Sequence, residues 1–401
     1  MLKSVEIKGF RSCEHVEFDT EQSLIALLGR NGVGKSNILR AIYLAAKYAS
    51  APRPADRPAF GLDPEVTVAL GFDSGGGRFR YRITGTPARR RPGRTDGIDE
   101  RLDVFENGVW RNLASRDTKQ VTLNDADQIV HILADPATPL LFVLSGYRSA
   151  DGPYFKSALD FLSGVHYYPL NEKNSFSDQF EGNIFQGAEI VEWRRSTDTD
   201  RLAEKDAELR IISMHLFETE RFEEFVSLVG PDGLSLFDEV RVHRSGTSEQ
   251  ETEDVDGVKL DLFYYIQYRK NGRLLFYPAL SYGTRRIVNI VAAMVSDQST
   301  LMLIEHPEDG IHIGLLRRLF GIMRSYRRAL QIFVATHSRT LLNEMQIDEL
   351  RFVSNEAGVT QIGKLSGASR EMAERYISAT GDDESGSLAD FVELCDEDLF
   401  P

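Results

Sequence analysis

Cysteine is nearly absent from this chain: Cys13 and Cys395 are the only two in 401 residues. Two thiols cannot build a disulfide framework or a thiolate metal centre. A reducing cytosol is the simplest setting for such usage. No apolar run approaches the length that spans a bilayer, so no membrane role is expected. The opening MLKSVEIKGF lacks the apolar core of a signal peptide, which again points to the cytoplasm. Basic residues are outnumbered, with 47 Lys and Arg against 61 Asp and Glu and a formal net charge of −14. That balance argues against a uniformly basic nucleic-acid coat but leaves room for a local basic groove. There is no internal repeat. The helical pattern over residues 198–229 is too short for coiled-coil arms, which need many sustained heptads.

At 42% hydrophobic and 27% charged residues the composition is that of an ordinary globular protein, and the length suggests two to three domains or one large domain with insertions. Its most informative run is Gly29, Arg30, Asn31, Gly32, Val33, Gly34, Lys35 and Ser36, which fits G-x-x-x-x-G-K-[ST]. Glycines let successive backbone N–H groups turn toward phosphate oxygens. The lysine adds a compact positive charge, and the Ser36 hydroxyl can ligate Mg²⁺. Residues 23–28 (SLIALL) read as a buried strand, and residues 37–46 (NILRAIYLAA), opening at Asn37, carry apolar positions at helical spacing. The loop therefore joins a strand to a helix N-terminus, where the helix dipole favours an anion.

Five segments follow from the pattern. Residues 1–50 form an N-terminal lobe with the phosphate loop. Residues 51–165 hold a Pro- and charge-rich linker and strand-like runs that suggest an antiparallel region. Residues 166–270 form an inserted helical or mixed region, with strands expected over 234–242 and 258–268. Residues 271–365 form a second lobe. Residues 366–401 are an acidic tail: from Glu371 onward ten acids face one base, Arg375. The tail is either a solvated terminus or a docking segment anchored by Leu388, Phe391, Val392 and Leu394. The cluster Arg89, Arg90, Arg91 and Arg94 is either a grip on a phosphate backbone or a solvated loop. The arginines at 317, 318, 324, 327 and 328 read as a solvated helix face.

Three further motifs lie in the second lobe: LSYGTRR at 280–286 opening an apolar helix over 287–295, LIEHPEDGIH at 303–312, and ATHS at 335–338. With KSVEIKGFRS at 3–12 and the phosphate loop, they resemble the SMC/RecF/OLD-like AAA family of ABC-type ATPases. This family includes ATPase subunits of bacterial anti-phage systems. The resemblance implies an α/β P-loop NTPase fold, an ABC-type head with an antiparallel β lobe and an inserted region. It implies ATP and Mg²⁺ as cofactors, with Lys35 and Ser36 on phosphate and metal. Arg11 would reach the nucleotide from the neighbouring turn. Glu305 would take the metal-linked acidic position, and His337 would sense the γ-phosphate. Ser281 and Gly283 would contact nucleotide bound to a second subunit, so homodimerisation on ATP, or a higher oligomer, is expected. His312 matches a family histidine read as structural. Tyr147 and Arg148 resemble a segment near the nucleotide, with no Q-loop glutamine assignable.

One position departs from the family pattern. A second acid usually follows the first and polarises the attacking water, and here His306 stands there. Histidine can serve as a base near neutral pH, Glu308 could substitute, or His306 packs against the loop as a neutral residue. Slow hydrolysis is expected. About 63 residues follow Ser338, too few for the nuclease domain of some relatives, so effector chemistry is assigned to a separate partner, a nuclease or toxin. A nucleotide-dependent switch in anti-phage defence is the leading expectation, and a RecF/SMC-like DNA-binding role in repair or recombination is the alternative. A transporter subunit is disfavoured by the roughly 245 residues between Lys35 and Ser281.

Overall fold

The computed structural model describes residues 1–50, 65–86, 97–117, 120–125, 128–133, 138–145, 149–169, 183–195, 204–246, 254–296, 299–326, 330–365 and 367–380. Arg89–Arg94, Tyr147, Arg148, Arg327, Arg328 and the tail anchors 388–394 lie outside them. The chain forms two compact units, one of Met1–Tyr168, Ser299–His306 and Arg327–Pro401, the other of Pro169–Gln298 and Pro307–Tyr326.

The first unit holds two sheets. The antiparallel sheet has eight strands in the order Cys13–Asp19, Leu2–Phe10, Val66–Ser74, Gly77–Thr86, Gly97–Glu106, Val109–Arg116, Val121–Asp125 and Gln128–Ile132. Its strands alternate as a sheet with one packed face must. Val5, Ile7, Leu70, Phe72, Phe79, Tyr81, Ile83, Leu102 and Val104 face the core and are at most 1% exposed. Arg78, Arg80 and Arg82 occupy the alternate positions of one strand. Phe72 stacks on Phe161 with centroids 4.3 Å apart. Cys13 is fully buried, and burial pushes its thiol up to about 11, so it is no nucleophile at neutral pH.

The second sheet has six strands in the order Val165–Tyr168, Leu301–Glu305, Gln331–Thr336, Leu24–Leu28, Leu350–Glu356 and Val359–Gly363, the first five parallel and the last antiparallel. Leu24–Leu28, Leu301–Glu305 and Gln331–Thr336 are buried throughout, which is why they read as unbroken apolar runs rather than alternating ones. The helix Lys35–Ser50 packs on strands of both sheets. Its small Ala41, Ala45, Ala46 and Ala49 allow burial on more than one side, and Ile38, Leu39 and Ile42 complete it. Each such fully buried Leu or Ile contributes about 1.5–3 kcal/mol relative to exposure. Gln331 ties the sheets together: its Nε2 donates to the carbonyls of Leu2, Thr20 and Gln22, and its Oε1 accepts from Leu2 N at 2.7 Å.

The second unit combines a small antiparallel sheet, Phe185–Gln186, Phe263–Lys270, Glu239–Ser245 and Arg273–Leu275, with the helices Gly187–Arg195, Glu204–Phe217, Thr219–Val229, Tyr282–Ser296 and Ile313–Tyr326. Two expectations need correction here. The strand expected over 234–242 begins only at Glu239. Leu234, Leu236 and Phe237 are apolar because they turn back under the helix Thr219–Val229, their N–H groups donating to the carbonyls of Leu228 and Val229. The strand expected over 258–268 is split into Val258–Lys259 and Phe263–Lys270. Arg317 and Arg318 are exposed, as expected of a solvated helix face, and the Arg318 guanidinium also donates to the carbonyl of Gly233. Among the described residues no helix is long and apolar enough to cross a membrane.

Candidate nucleotide-binding site

In a parallel sheet the loops that leave the carboxyl ends of the strands share one edge, the usual place for a ligand. Here Leu28 pairs with Thr336 and Ala335 with Glu305, so the phosphate loop, Glu305 with His306, and His337 all leave that edge together. The loop itself can be built only from glycine at three places. Gly29, Gly32 and Gly34 have φ of 155°, 84° and 112°. A Cβ on Gly29 would lie 2.1 Å from the Val353 carbonyl oxygen, and one on Gly34 would lie 2.0 Å from Thr360 Oγ1. The helix then starts at Lys35, with Asn37 N and Ile38 N donating to Gly34 O.

The result is a cavity of about 130 Å³ lined by Asn31, Gly32, Gly34, Lys35, Ser36, Asn37 and His306. Lys35 is 4% exposed, and its Nζ donates to the carbonyls of Gly29 at 2.6 Å and Arg30 at 2.9 Å. The ammonium is thus held inside the curve of the loop. A glycine-only cradle, a buried cation and a hydroxyl at a helix N-terminus form the donor set that suits a polyphosphate with a divalent cation. Lys35 and the loop N–H groups would hold phosphate, and Ser36 would offer its hydroxyl to Mg²⁺.

A hydrogen-bonded brace stands beside the loop. Arg11, with φ of 55°, donates through Nη1 to Asn37 Oδ1 at 3.2 Å. Asn37 Nδ2 donates to Ser12 Oγ at 2.8 Å, and Ser12 Oγ meets Thr360 Oγ1 at 2.7 Å. Thr360 Oγ1 also donates to Val33 O at 2.8 Å, and Thr360 N to Ser12 O at 2.8 Å. Thr360 was not anticipated: it lies far along the chain in the strand Val359–Gly363, and no motif marks it.

The acidic strand divides its two polar ends. His306 takes φ of 44°, donates its backbone N–H to Ala335 O at 2.8 Å, and lines the cavity. Its ring centroid lies 5.1 Å from that of His337. Glu305 is 4% exposed, and its Oε1 accepts from Tyr167 Oη at 2.6 Å. Burial, then Glu305, push the Tyr167 phenol up, and the bond to Tyr167 raises Arg40. Tyr167 and Arg40 were also missed, since single polar residues in apolar runs carry no motif. After His337, Ser338 Oγ accepts from Leu341 N and caps the helix Arg339–Asn343.

Ser281, Gly283 and Glu308 belong to the second unit. Ser281 Oγ accepts from Thr284 N at 3.2 Å at the start of Tyr282–Ser296. That helix begins five residues before the expected apolar stretch. Gly283 packs against the turn that carries Glu308: a Cβ there would lie 2.1 Å from Gly310 O. His312 Nδ1 accepts from Gly314 N at 3.3 Å at the head of Ile313–Tyr326.

A family model described as "AAA ATPase domain" matches residues 1–75, and one described as "AAA domain, putative AbiEii toxin, Type IV TA system" matches residues 155–343. A solved SMC head bound to the C-winged helix domain of ScpA aligns over 92% of this chain and 99% of its own, at a TM-score of 0.50 and 16% identity, a likeness of fold. Both family models support the reading of the motifs as those of an SMC/RecF-like ABC-type AAA ATPase. The fold expected from the motifs, an ABC-type P-loop head, is therefore borne out. Among curated relatives, the DNA replication and repair protein RecF of Bacteroides fragilis is 32% identical over 72 residues, 18% of this chain and 20% of the relative. RecF of Anaeromyxobacter sp. is 33% identical over 110 residues, 27% of this chain and 30% of the relative. The chain thus spans less than a third of the length of these two relatives. The cavity places an imidazole, that of His306, where the motif pattern expects a carboxylate.

Proposed function

We propose that this chain binds Mg-ATP in the cavity formed by residues 31–37 and His306, hydrolyses it slowly, and acts as a nucleotide-dependent switch. The observation that carries this reading is the cradle itself: three glycines in conformations closed to other residues, wrapped around a buried Lys35. Ser36 and Glu305 are the metal-linked residues, Arg11, Arg30, Asn31, Val33 and Asn37 flank the phosphates, and His337 senses the terminal phosphate. His306 makes turnover slow, because the position that would carry a carboxylate base carries an imidazole.

The switch pairs with a second copy through Ser281 and Gly283 and controls a separate effector. The match to a family named for a putative toxin of a toxin–antitoxin system supports a defence setting. Similarity to RecF supports a second reading, direct action on DNA in repair. Lys35→Ala should abolish or strongly weaken Mg-ATP binding by calorimetry, and unchanged affinity would overturn the phosphate-loop assignment. Co-purification with the product of the neighbouring gene, with and without ATP, separates the two settings: capture of a nuclease or toxin supports the switch, and capture of replication proteins supports repair.

A further inference from the structure

Glu305 ends the strand Leu301–Glu305 with its side chain buried, so its carboxylate needs a defined partner. Tyr167 supplies one from the neighbouring edge strand, Val165–Tyr168, where it pairs with Leu303. Its hydroxyl donates to Glu305 Oε1 at 2.6 Å and accepts from Arg40 Nε at 2.9 Å. A phenol has one proton to give. With the Arg40 N–H directed into the oxygen, that proton is committed to Glu305. Arg40 thus acts on the carboxylate through a neutral hydroxyl that it polarises.

The ring is also held. Tyr167 is 7% exposed, and its centroid lies 5.5 Å from that of Tyr43. Tyr43 and Arg40 both belong to Lys35–Ser50, the helix that begins at the phosphate loop. One hydroxyl therefore links the loop helix, the edge strand and the acid at the end of the central strand. A ring held only for packing would need no hydroxyl in this position, and phenylalanine would serve.

We infer that Tyr167 is a positioning residue that fixes the Glu305 carboxylate for the divalent cation and so sets how much Mg²⁺ the nucleotide site requires. The inference rests on the reading of Glu305 as the metal-linked acid.

The test titrates binding of a fluorescent ATP analogue to the full chain, in EDTA and across a Mg²⁺ series, for wild type, Tyr167→Phe, Arg40→Met, Glu305→Gln and the Tyr167→Phe/Glu305→Gln double variant. Tyr167→Phe keeps the ring and removes the hydroxyl. Its affinity in EDTA should match wild type, while its half-saturating Mg²⁺ should rise about tenfold, the size of one hydrogen bond to a charged group. Arg40→Met should shift it in the same direction by less, and it carries the test if Tyr167→Phe does not fold. With Glu305→Gln already present, Tyr167→Phe should change nothing further. Equal half-saturating Mg²⁺ in wild type and Tyr167→Phe, or an equal shift with and without Glu305, would overturn the inference while leaving the nucleotide site intact. A wild type that binds no analogue with or without Mg²⁺ would overturn the functional reading beneath it.

Discussion

At the residue scale the decisive position is His306. It lines the cavity through a backbone turn with φ of 44°, a region that β-branched and bulky residues avoid and that Asn, Asp and His tolerate better. The turn brings the side chain to the phosphate loop, and imidazole is what it brings. A positioned general base is typically worth about 10²–10⁴-fold in rate. His306→Glu should therefore raise steady-state phosphate release, by at least about tenfold even after some of the gain is lost to the left-handed backbone. Glu305→Gln should lower it. Fast turnover by wild type that survives Glu308→Gln and falls with His306→Ala would show that the histidine is itself the base, and the slow-switch reading would be wrong.

At the element scale the phosphate loop is not self-supporting. The strand Val359–Gly363 lends it Thr360, which is fully buried, bonds Val33 O and Ser12 Oγ, and occupies the space a Cβ on Gly34 would need. Thr360→Val keeps the shape and removes the hydroxyl, leaving Val33 O and Ser12 Oγ to find other partners. The expected cost is about 1–3 kcal/mol of stability in urea unfolding, with weaker ATP binding in the same variant. Full stability with full ATP affinity would show that the brace is incidental. In the second unit the helix Tyr282–Ser296 meets the turn carrying Glu308 at a glycine–glycine contact, Gly283 on Gly310. The glycine of the LSYGT run therefore has a packing reason to be glycine, whatever its role toward nucleotide.

At the scale of the whole molecule the proposed switch requires two copies. ATP or a non-hydrolysable analogue should promote pairing in light scattering, and Ser281→Arg should block it by adding bulk and charge at the start of Tyr282–Ser296. With a net charge of −14 on each chain, pairing should also strengthen as salt rises from low ionic strength toward about 0.15 M, where the Debye length falls to about 8 Å. A wild type that stays monomeric with nucleotide at high concentration would count against the proposed pairing.

The sequence alone determined whatever is written in consecutive residues. The strand, glycine loop and helix of the phosphate site were legible because their chemistry is contiguous and their periodicities differ, five buried residues in Leu24–Leu28 followed by helical spacing from Lys35. The antiparallel region was legible from alternation, and the ABC-type head from the order of its motifs. Only the tertiary structure decided what depends on distant residues meeting. Leu234–Phe237 carries the composition of a strand, yet its N–H groups cap a helix, because backbone donors take the nearest buried acceptors. Thr360 reaches Val33 across 327 positions, and Tyr167 reaches Glu305 across 138, in a sheet whose strand order is not chain order. The two compact units interleave along the chain, so the LIEHPEDGIH run itself is divided after His306. A local pattern records which side chains are apolar or polar. It does not record which partner satisfies each polar atom once it is buried, and that choice belongs to the sheet topology.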